Sequence, residues 1–332
     1  MRVVLYGSGS PASIAALEAL VPVADVAALV VPADRPIRGL RSALRGWSDR
    51  RARGDLARGA RRLRIPVLRA GRGADADLEA ELARMAPDLV CVATFPYLLP
   101  ASVLAVPRLG ALGVHPSLLP RHRGPEPLFW TYHDGDAEAG VTVFWMNAGE
   151  DSGDVVFQEV IPLERGRPGP DLYAEVARRG AALLARAVMA VEAGHAPRVA
   201  QDPARATRDP APDHAAWRID YEAWGAERVW HFLRGVAARG GALADARGAV
   251  VPHGPVRGFR LGPLPGERGE IQRAWGGWRV VCRDGVVELD GAGALRRVLW
   301  LARRLAGASR APAAPSRRRP GAGERTGTRS SA

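Results

Sequence analysis

Short apolar runs alternate with stretches of helical period along the first half of the chain. Val3–Tyr6 is apolar and breaks at Gly7-Ser8-Gly9-Ser10, after which the apolar positions of Ala12–Leu20 recur at helical spacing. Val26–Val31 is a second apolar run, and a strand, helix and strand this close together predict a right-handed parallel unit. The alternation continues with a strand at Ile65–Leu68, a helix over Asp75–Met85, a buried strand at Asp88–Ala93 and a shorter one at Gly110–His115. Val141–Met146 and Asp154–Ile161 read as further strands, and Asp171–Ala193 as a long amphipathic helix. The pattern predicts an α/β fold built on an open, mostly parallel, Rossmann-like sheet. Such a sheet binds ligands beyond the carboxyl ends of its strands, which puts His115 and Thr94–Pro100 where chemistry belongs.

The period is lost after residue 196. Residues 197–214 are rich in Pro, Asp and Ala and read as a linker. A helix over Ala223–Arg239 and short strands follow, among them Gly277–Cys282 and Gly285–Leu289, with the hairpin dipeptide Asp284-Gly285 between them. The expected organisation is a catalytic domain at 1–196, the linker at 197–214, a smaller β-rich, OB-like domain at 215–302 and a disordered Arg- and Pro-rich tail at 303–332.

Composition narrows the class. Hydrophobic residues make up 47% and charged residues 25% of the 332, the balance of a soluble protein, and no apolar run approaches the roughly 18 residues that span a bilayer. The opening Met1-Arg2-Val3-Val4-Leu5-Tyr6 lacks the layout of a signal peptide, so a cytoplasmic protein with no membrane partner is expected. The two cysteines, Cys91 and Cys282, lie in apolar segments and read as buried thiols, which disfavours a disulfide framework or a zinc site. All 47 basic residues are arginine. The absence of lysine excludes Schiff-base chemistry and an ordinary P-loop, and the net charge of +12 is local. Arg35–Arg64 carries +9 and residues 303–332 carry +7, so the rest of the chain is mildly acidic.

Two motifs carry candidate chemistry. Gly7-Ser8-Gly9-Ser10-Pro11-Ala12 fits the dinucleotide fingerprint, but the acidic residue expected after the second strand has only Asp34 as a candidate, beyond Pro32. The other reading is a glycine-rich turn that lets strand and helix pack tightly. The second motif is the stretch from Gly113 through His115, Ser117-Leu118-Leu119-Pro120 and Arg123-Gly124, followed by Gly140-Val141-Thr142 and Asp151-Ser152-Gly153-Asp154. It sets an imidazole at a strand end, a Pro-bounded loop behind it and a carboxylate on a later loop. Histidine titrates near working pH and suits proton transfer, and a carboxylate can orient it.

In order and spacing this second pattern closely resembles the 10-formyltetrahydrofolate-dependent formyltransferases, whose Asn-x-His-Pro-Ser-Leu-Leu-Pro-x-x-Arg-Gly motif precedes Gly-Val-Thr and an Asp-Thr-Gly-Asp-like motif. The likeness extends through Pro87-Asp88-Leu89-Val90 and Pro100, and through Gln201 with Ala206-Thr207, which are similar to the pre-linker signature of the methionyl-tRNA branch. Residues 219–287 resemble that branch's OB-like domain more loosely. The resemblance implies transfer of a formyl group from 10-formyltetrahydrofolate, as co-substrate, to a primary amine, with methionyl-initiator tRNA as the expected acceptor. It implies no metal and no covalent intermediate, and a monomer is expected. His115 would stabilise or protonate the oxyanion, and Asp151 would orient His115 and help relay the amine proton. The pterin would lie among Phe95, Tyr97 and Leu98, Ser117, Leu118, Leu119 and Pro120, and Asn147 on the loop leading to Asp151.

One departure stands out, because the family's catalytic Asn falls at Gly113. Losing such a donor costs on the order of 10²- to 10³-fold in rate, so Gly113→Asn is expected to restore part of it unless the site is remodelled around glycine. Asn147 is a candidate substitute. The alternatives are a formyltransferase acting on an amino sugar or secondary-metabolite amine, and a folate-binding homologue with impaired catalysis. Arg35–Arg64 occupies the place of a basic insertion that in the methionyl-tRNA branch reaches the tRNA, without reproducing its residues well. It reads equally as a solvated arginine-rich helix.

Overall fold

The computed structural model describes residues 1–33, 40–213, 215–236, 242–246 and 250–291. Asp34, the start of the Arg35–Arg64 run, the end of the 215–302 segment and the tail at 303–332 lie outside the described residues. The first half of the chain runs β1 (Arg2–Gly7), α1 (Pro11–Leu20), β2 (Asp25–Pro32), α2 (Leu40–Arg62), β3 (Val67–Ala70), α3 (Ala76–Met85), β4 (Leu89–Ala93), α4 (Ala101–Leu104) and β5 (Ala111–His115). It continues with α5 (Pro127–Asp134), β6 (Glu138–Trp145), β7 (Val155–Pro162) and α6 (Gly169–Glu192). The strands form one seven-stranded sheet in the order β3-β2-β1-β4-β5-β6-β7. The first five are parallel, and β6 and β7 are added antiparallel at the edge.

Burial on both faces explains why the parallel strands read as continuous apolar runs. Val3, Leu5, Leu29, Leu89, Cys91 and Leu112 pack in one cluster with Leu17 and Leu20 of α1 and Leu183, Leu184 and Val188 of α6. Val4, Tyr6, Val30, Val90 and Val92 face the other way, onto Leu78 and Leu82 of α3, Leu99 and Val103. Ser10 caps α1 by accepting from the Ser13 N–H, and Asp75 caps α3 in the same way through Leu78. β3 begins two residues later than the apolar run suggests, because Ile65 is buried in the turn before it. α5 escapes a reading by period, since Pro125-Glu126-Pro127 looks like loop. Pro127 nevertheless sits in its first turn, where a missing N–H costs nothing.

Of the two readings of the Gly7–Ala12 motif, the geometry favours the tight turn. Gly9 adopts a φ of +87°, and a Cβ there would lie 2.5 Å from the backbone of Ala52 and Arg53 in α2. The space before the turn is filled by α2, whose Leu56, Ala57 and Ala60 are buried.

The chain then builds α7 (Ala226–Val236) and β8 (Ala242–Ala244), β9 (Val250–Leu261), β10 (Ile271–Ala274), β11 (Gly277–Cys282) and β12 (Gly285–Gly291). These strands form a five-stranded antiparallel sheet in the order β10-β11-β12-β9-β8. Phe232 of α7 packs against Phe129 of α5 with ring centroids 5.6 Å apart, and Trp217 and Trp224 join them. Both cysteines are buried free thiols, and burial pushes the Cys282 thiol up to about 12. No helix among the described residues is long and apolar enough to cross a membrane.

The segment between the two sheets is held along the first one. Val199 and Val155 exchange backbone hydrogen bonds of 2.8 and 3.0 Å, Arg123 N donates to Thr207 O (3.0 Å), and Asp209 N donates to Arg123 O (2.9 Å). Residues 198–210 are a strap across the loops that follow β5 and β6, and this is what positions the site.

Candidate active site

His115 ends β5, paired in register with Thr142 of β6, and is 6% exposed. Its Nε2 lies 2.8 Å from the backbone oxygen of His122. A carbonyl only accepts, so Nε2 carries a hydrogen and Nδ1 is the nitrogen left for chemistry. Nδ1 lies 3.5 Å from Asp151 Oδ2. The loop from Ser117 to His122 that supplies the carbonyl is fixed from several sides. Ser117 Oγ donates to Arg121 O (2.8 Å), Thr142 Oγ1 donates to Ser117 O (2.7 Å), and Gln158 Nε2 donates to Leu119 O (2.9 Å).

Asp151 reaches His115 from the loop between β6 and β7, with a φ of +49°. Its Oδ2 accepts from Gly124 N (2.8 Å), so the motif's Arg-Gly pair has a geometric reason. Gly124 itself has a φ of +116°, and a Cβ there would strike the Asp209 carbonyl oxygen at 2.3 Å. Gln201 in the strap completes the support. Its Nε2 donates to Asp151 O (2.9 Å) and Gly153 O (2.7 Å), and its Oε1 accepts from Arg123 Nη2 (2.6 Å).

Gly113 lies two residues before His115, on the same face of β5. The space a side chain would take there is occupied, because a Cβ on Gly113 would lie 2.7 Å from Cε1 of Phe144, its register partner on β6, and 3.3 Å from Cγ of Met146. An Asn at position 113 therefore requires the Phe144 ring to move, which is the glycine-adapted alternative to a simple restoration of the donor. The phenyl ring fills that volume and is only 3% exposed.

Of the residues expected around a pterin, Leu98 is 61% exposed and Asn147 is exposed. Phe95 packs edge-on between Tyr6 and Tyr97, with centroids 5.1 and 5.6 Å away. Phe95 and Met146 lie against the same core cluster, which brings the 95–99 loop and the end of β6 to one face. Ser117 and Leu119 are buried, and Leu118 and Pro120 partly so. Asn147 Oδ1 accepts from Gly149 N (2.9 Å) and Ser152 Oγ (3.0 Å), which shapes the Asp151 loop. Among the described residues no three His, Cys, Asp or Glu side chains gather as a metal site.

The sequence pattern does not single out His122, Asp136 and Asp209 as site residues. His122 Nδ1 lies 2.6 Å from Asp209 Oδ2 and its Nε2 2.8 Å from Asp136 Oδ2. Nothing in local period marks these residues, because the three come from three separate loops. Phe144 likewise shows in the sequence only as an alternating strand position.

The family described as formyl transferase matches residues 24–188. A methionyl-tRNA formyltransferase from Anaeromyxobacter dehalogenans (strain 2CP-C) is 34% identical over 289 residues, covering 85% of this chain and 88% of the relative. The chain belongs to the formyltransferase family. A second relative of the same name, from Syntrophus aciditrophicus (strain SB), is 34% identical over 229 residues, covering 68% of this chain and 72% of the relative. The matched share of other relatives of that name falls as low as 49% of their length. HypX from Aquifex aeolicus in complex with tetrahydrofolic acid shares the fold at 18% identity and a TM-score of 0.55, covering 87% of this chain and 43% of that one.

Proposed function

We propose that this protein transfers a formyl group from 10-formyltetrahydrofolate to the α-amine of methionyl-initiator tRNA. The observation that carries the chemistry is the buried His115 with Nδ1 3.5 Å from Asp151 Oδ2 at the carboxyl end of the sheet. The acceptor rests on relatives named for methionyl-tRNA that align across both sheets. The exposed arginines of α2 and the turn after it, Arg58, Arg61, Arg62 and Arg64, supply a surface for phosphates. Residues 1–196 and 215–302 serve as catalytic and OB-like parts in this reading, and the acceptor places the work in the cytoplasm.

The residues present fit a folate. Phe95, the exposed Leu98 and Met146 offer an apolar wall for a flat ring, and the exposed Asn147 offers an amide at its edge. The donor supplies an electrophilic formyl carbon, which the amine attacks directly. His115 works through Nδ1, since Nε2–H is committed to the His122 carbonyl. The protonated ring donates from Nδ1 toward charge developing on the carbonyl oxygen, and Asp151 stabilises that imidazolium. Gly124 N and Gln201 hold Asp151 so that it faces the ring. The proton shed by the attacking amine passes by way of this pair to the donor nitrogen, whose bond to the formyl carbon breaks as tetrahydrofolate leaves. Burial of His115 keeps bulk water from weakening these interactions.

A second reading keeps the donor and takes an amino sugar or another small amine as acceptor. The Phe144 ring over Gly113 favours it, because the subsite is apolar where the family carries an amide. One experiment separates the two: formyl transfer measured with charged initiator tRNA beside a panel of small primary amines. Transfer to tRNA alone supports the first reading, and transfer to small amines alone supports the second. Transfer to neither, with tetrahydrofolate still bound, marks a binding protein and overturns both.

A further inference from the structure

The ring of His122 is 5% exposed and lies between two carboxylates, Asp209 Oδ2 at 2.6 Å from Nδ1 and Asp136 Oδ2 at 2.8 Å from Nε2. Carboxylates only accept, so a neutral imidazole, with a single N–H, satisfies one of them and the imidazolium satisfies both. The charged groups facing the ring come from three places. Asp136 is in the turn before β6, Asp209 is in the strap, and Arg121 of its own loop donates to Asp136 Oδ1 (2.6 Å) with Nη2 3.4 Å from His122 Nε2. Burial opposes the imidazolium and Arg121 adds a like charge, but the two carboxylate hydrogen bonds prevail and the pKa of His122 is raised. Burial likewise opposes the Asp136 carboxylate, and hydrogen bonds from His122 and Arg121 outweigh it, so its pKa is lowered.

The backbone of the same residue touches the catalytic histidine. His122 O accepts from His115 Nε2 (2.8 Å), and His122 N donates to Thr207 Oγ1 (2.7 Å) in the strap. His122 holds a φ of +58°, a left-handed conformation that needs its surroundings to maintain it. We propose that His122 is a positioning residue for His115: its doubly clamped imidazolium locks the strap onto the catalytic loop and fixes the carbonyl that assigns His115 its working nitrogen.

The sign follows from the two carboxylates. Below its raised pKa the ring carries both protons and the clamp is closed. As pH rises through that pKa one N–H is lost, one of the two bonds from the ring to a carboxylate breaks, and the carbonyl is held less firmly. Turnover then falls on the alkaline side through His122.

The inference rests on the proposed formyl transfer only for its activity readout, so the test has an arm without substrate. In protein labelled with ¹⁵N at histidine, His122 is expected to carry protons on both ring nitrogens near neutral pH. The His115 resonances should show Nε2–H and should shift in step with the His122 titration. Asp209→Asn, confirmed as folded by its thermal melt, should lower the His122 midpoint by about one to three pH units. It should also move the alkaline limb of kcat by the same amount while donor KM changes little. Asp136→Asn should shift the midpoint in the same direction. A His122 ring with one proton at neutral pH in the unsubstituted protein overturns the proposal, as do His115 signals indifferent to the His122 titration, or an alkaline limb unmoved by Asp209→Asn. If the coupling is seen but no amine is formylated, the clamp stands and the functional reading fails.

Discussion

The Cβ that Gly113 lacks would lie 2.7 Å from Cε1 and 2.8 Å from Cζ of Phe144, its register partner across β5 and β6. The glycine is absent from the positive-φ positions, so it answers to the ring and not to a backbone need. Gly113→Asn alone is expected to lower stability by about 1–3 kcal/mol through overpacking, without raising turnover. Gly113→Asn with Phe144→Ala should be more stable than the sum of the single effects, because each change relieves the other. Turnover should rise in the double variant if an amide there meets developing charge. Thermal unfolding and kcat of the four proteins check this, and a cycle additive to within about 0.5 kcal/mol would show that the two positions are not coupled.

His115→Ala and Asp151→Asn should each reduce formyl transfer by a factor on the order of 10² or more while the melting temperature changes little. If the two share one proton path, as proposed, the double variant should cost little more than the worse single change. Full multiplication of the two losses in single-turnover assays would show independent roles. Near-parental turnover in both single variants would remove the pair from the reaction.

The sheet was legible because its central strands are buried on both faces, which leaves apolar runs such as Val26–Val31 whatever lies around them. His115 and Asp151 were legible as a motif, since each ends or follows a strand. The support behind them was not. His122, Asp136 and Asp209 come from separate loops and meet only because the strap folds back through Thr207 and Asp209 onto Arg123. Phe144 follows a simple alternating pattern, and only the close approach of β5 to β6 shows what Gly113 accommodates. α5 was hidden by the prolines at its start, which local reading takes for a loop.

If the acceptor is a tRNA, its affinity should fall steeply with salt, because each phosphate neutralised by arginine releases counterions. Arg61 and Arg62, exposed in the last turn of α2, are the residues to change. Arg61→Ala with Arg62→Ala should weaken tRNA binding and flatten the slope of log K against log salt by about one for each phosphate that is no longer neutralised. Affinity measured across a salt series checks this. A slope unchanged by both substitutions would remove this end of α2 from the interface, whereas a small-amine acceptor would show almost no slope at all.

His231 and His122 should pull stability in opposite directions with pH. His231 is fully buried, its Nδ1 accepts from Gly166 N (2.9 Å), and its Nε2 meets no partner among the described residues. Burial, helped by the charge of Arg165, pushes its pKa down to about 4 from the ordinary 6.5. A depressed histidine contributes stability above the unfolded pKa and loses it as pH falls. The shift corresponds to about 3 kcal/mol lost between about pH 6.5 and pH 4. His122, with a raised pKa, contributes fully below about pH 6.5 and loses its share as pH rises through the folded value. His231→Gln keeps an acceptor for Gly166 N and removes the titration, so it should flatten the acid side alone. Asp209→Asn, which weakens the His122 clamp, should change the alkaline side and leave the acid loss in place. Denaturant midpoints taken across pH for the parent and the two variants check both signs. An acid loss that persists undiminished in His231→Gln would move its origin to the carboxylates, with Asp136 the first to examine, because its own pKa is held low by His122 and Arg121 against the cost of burial.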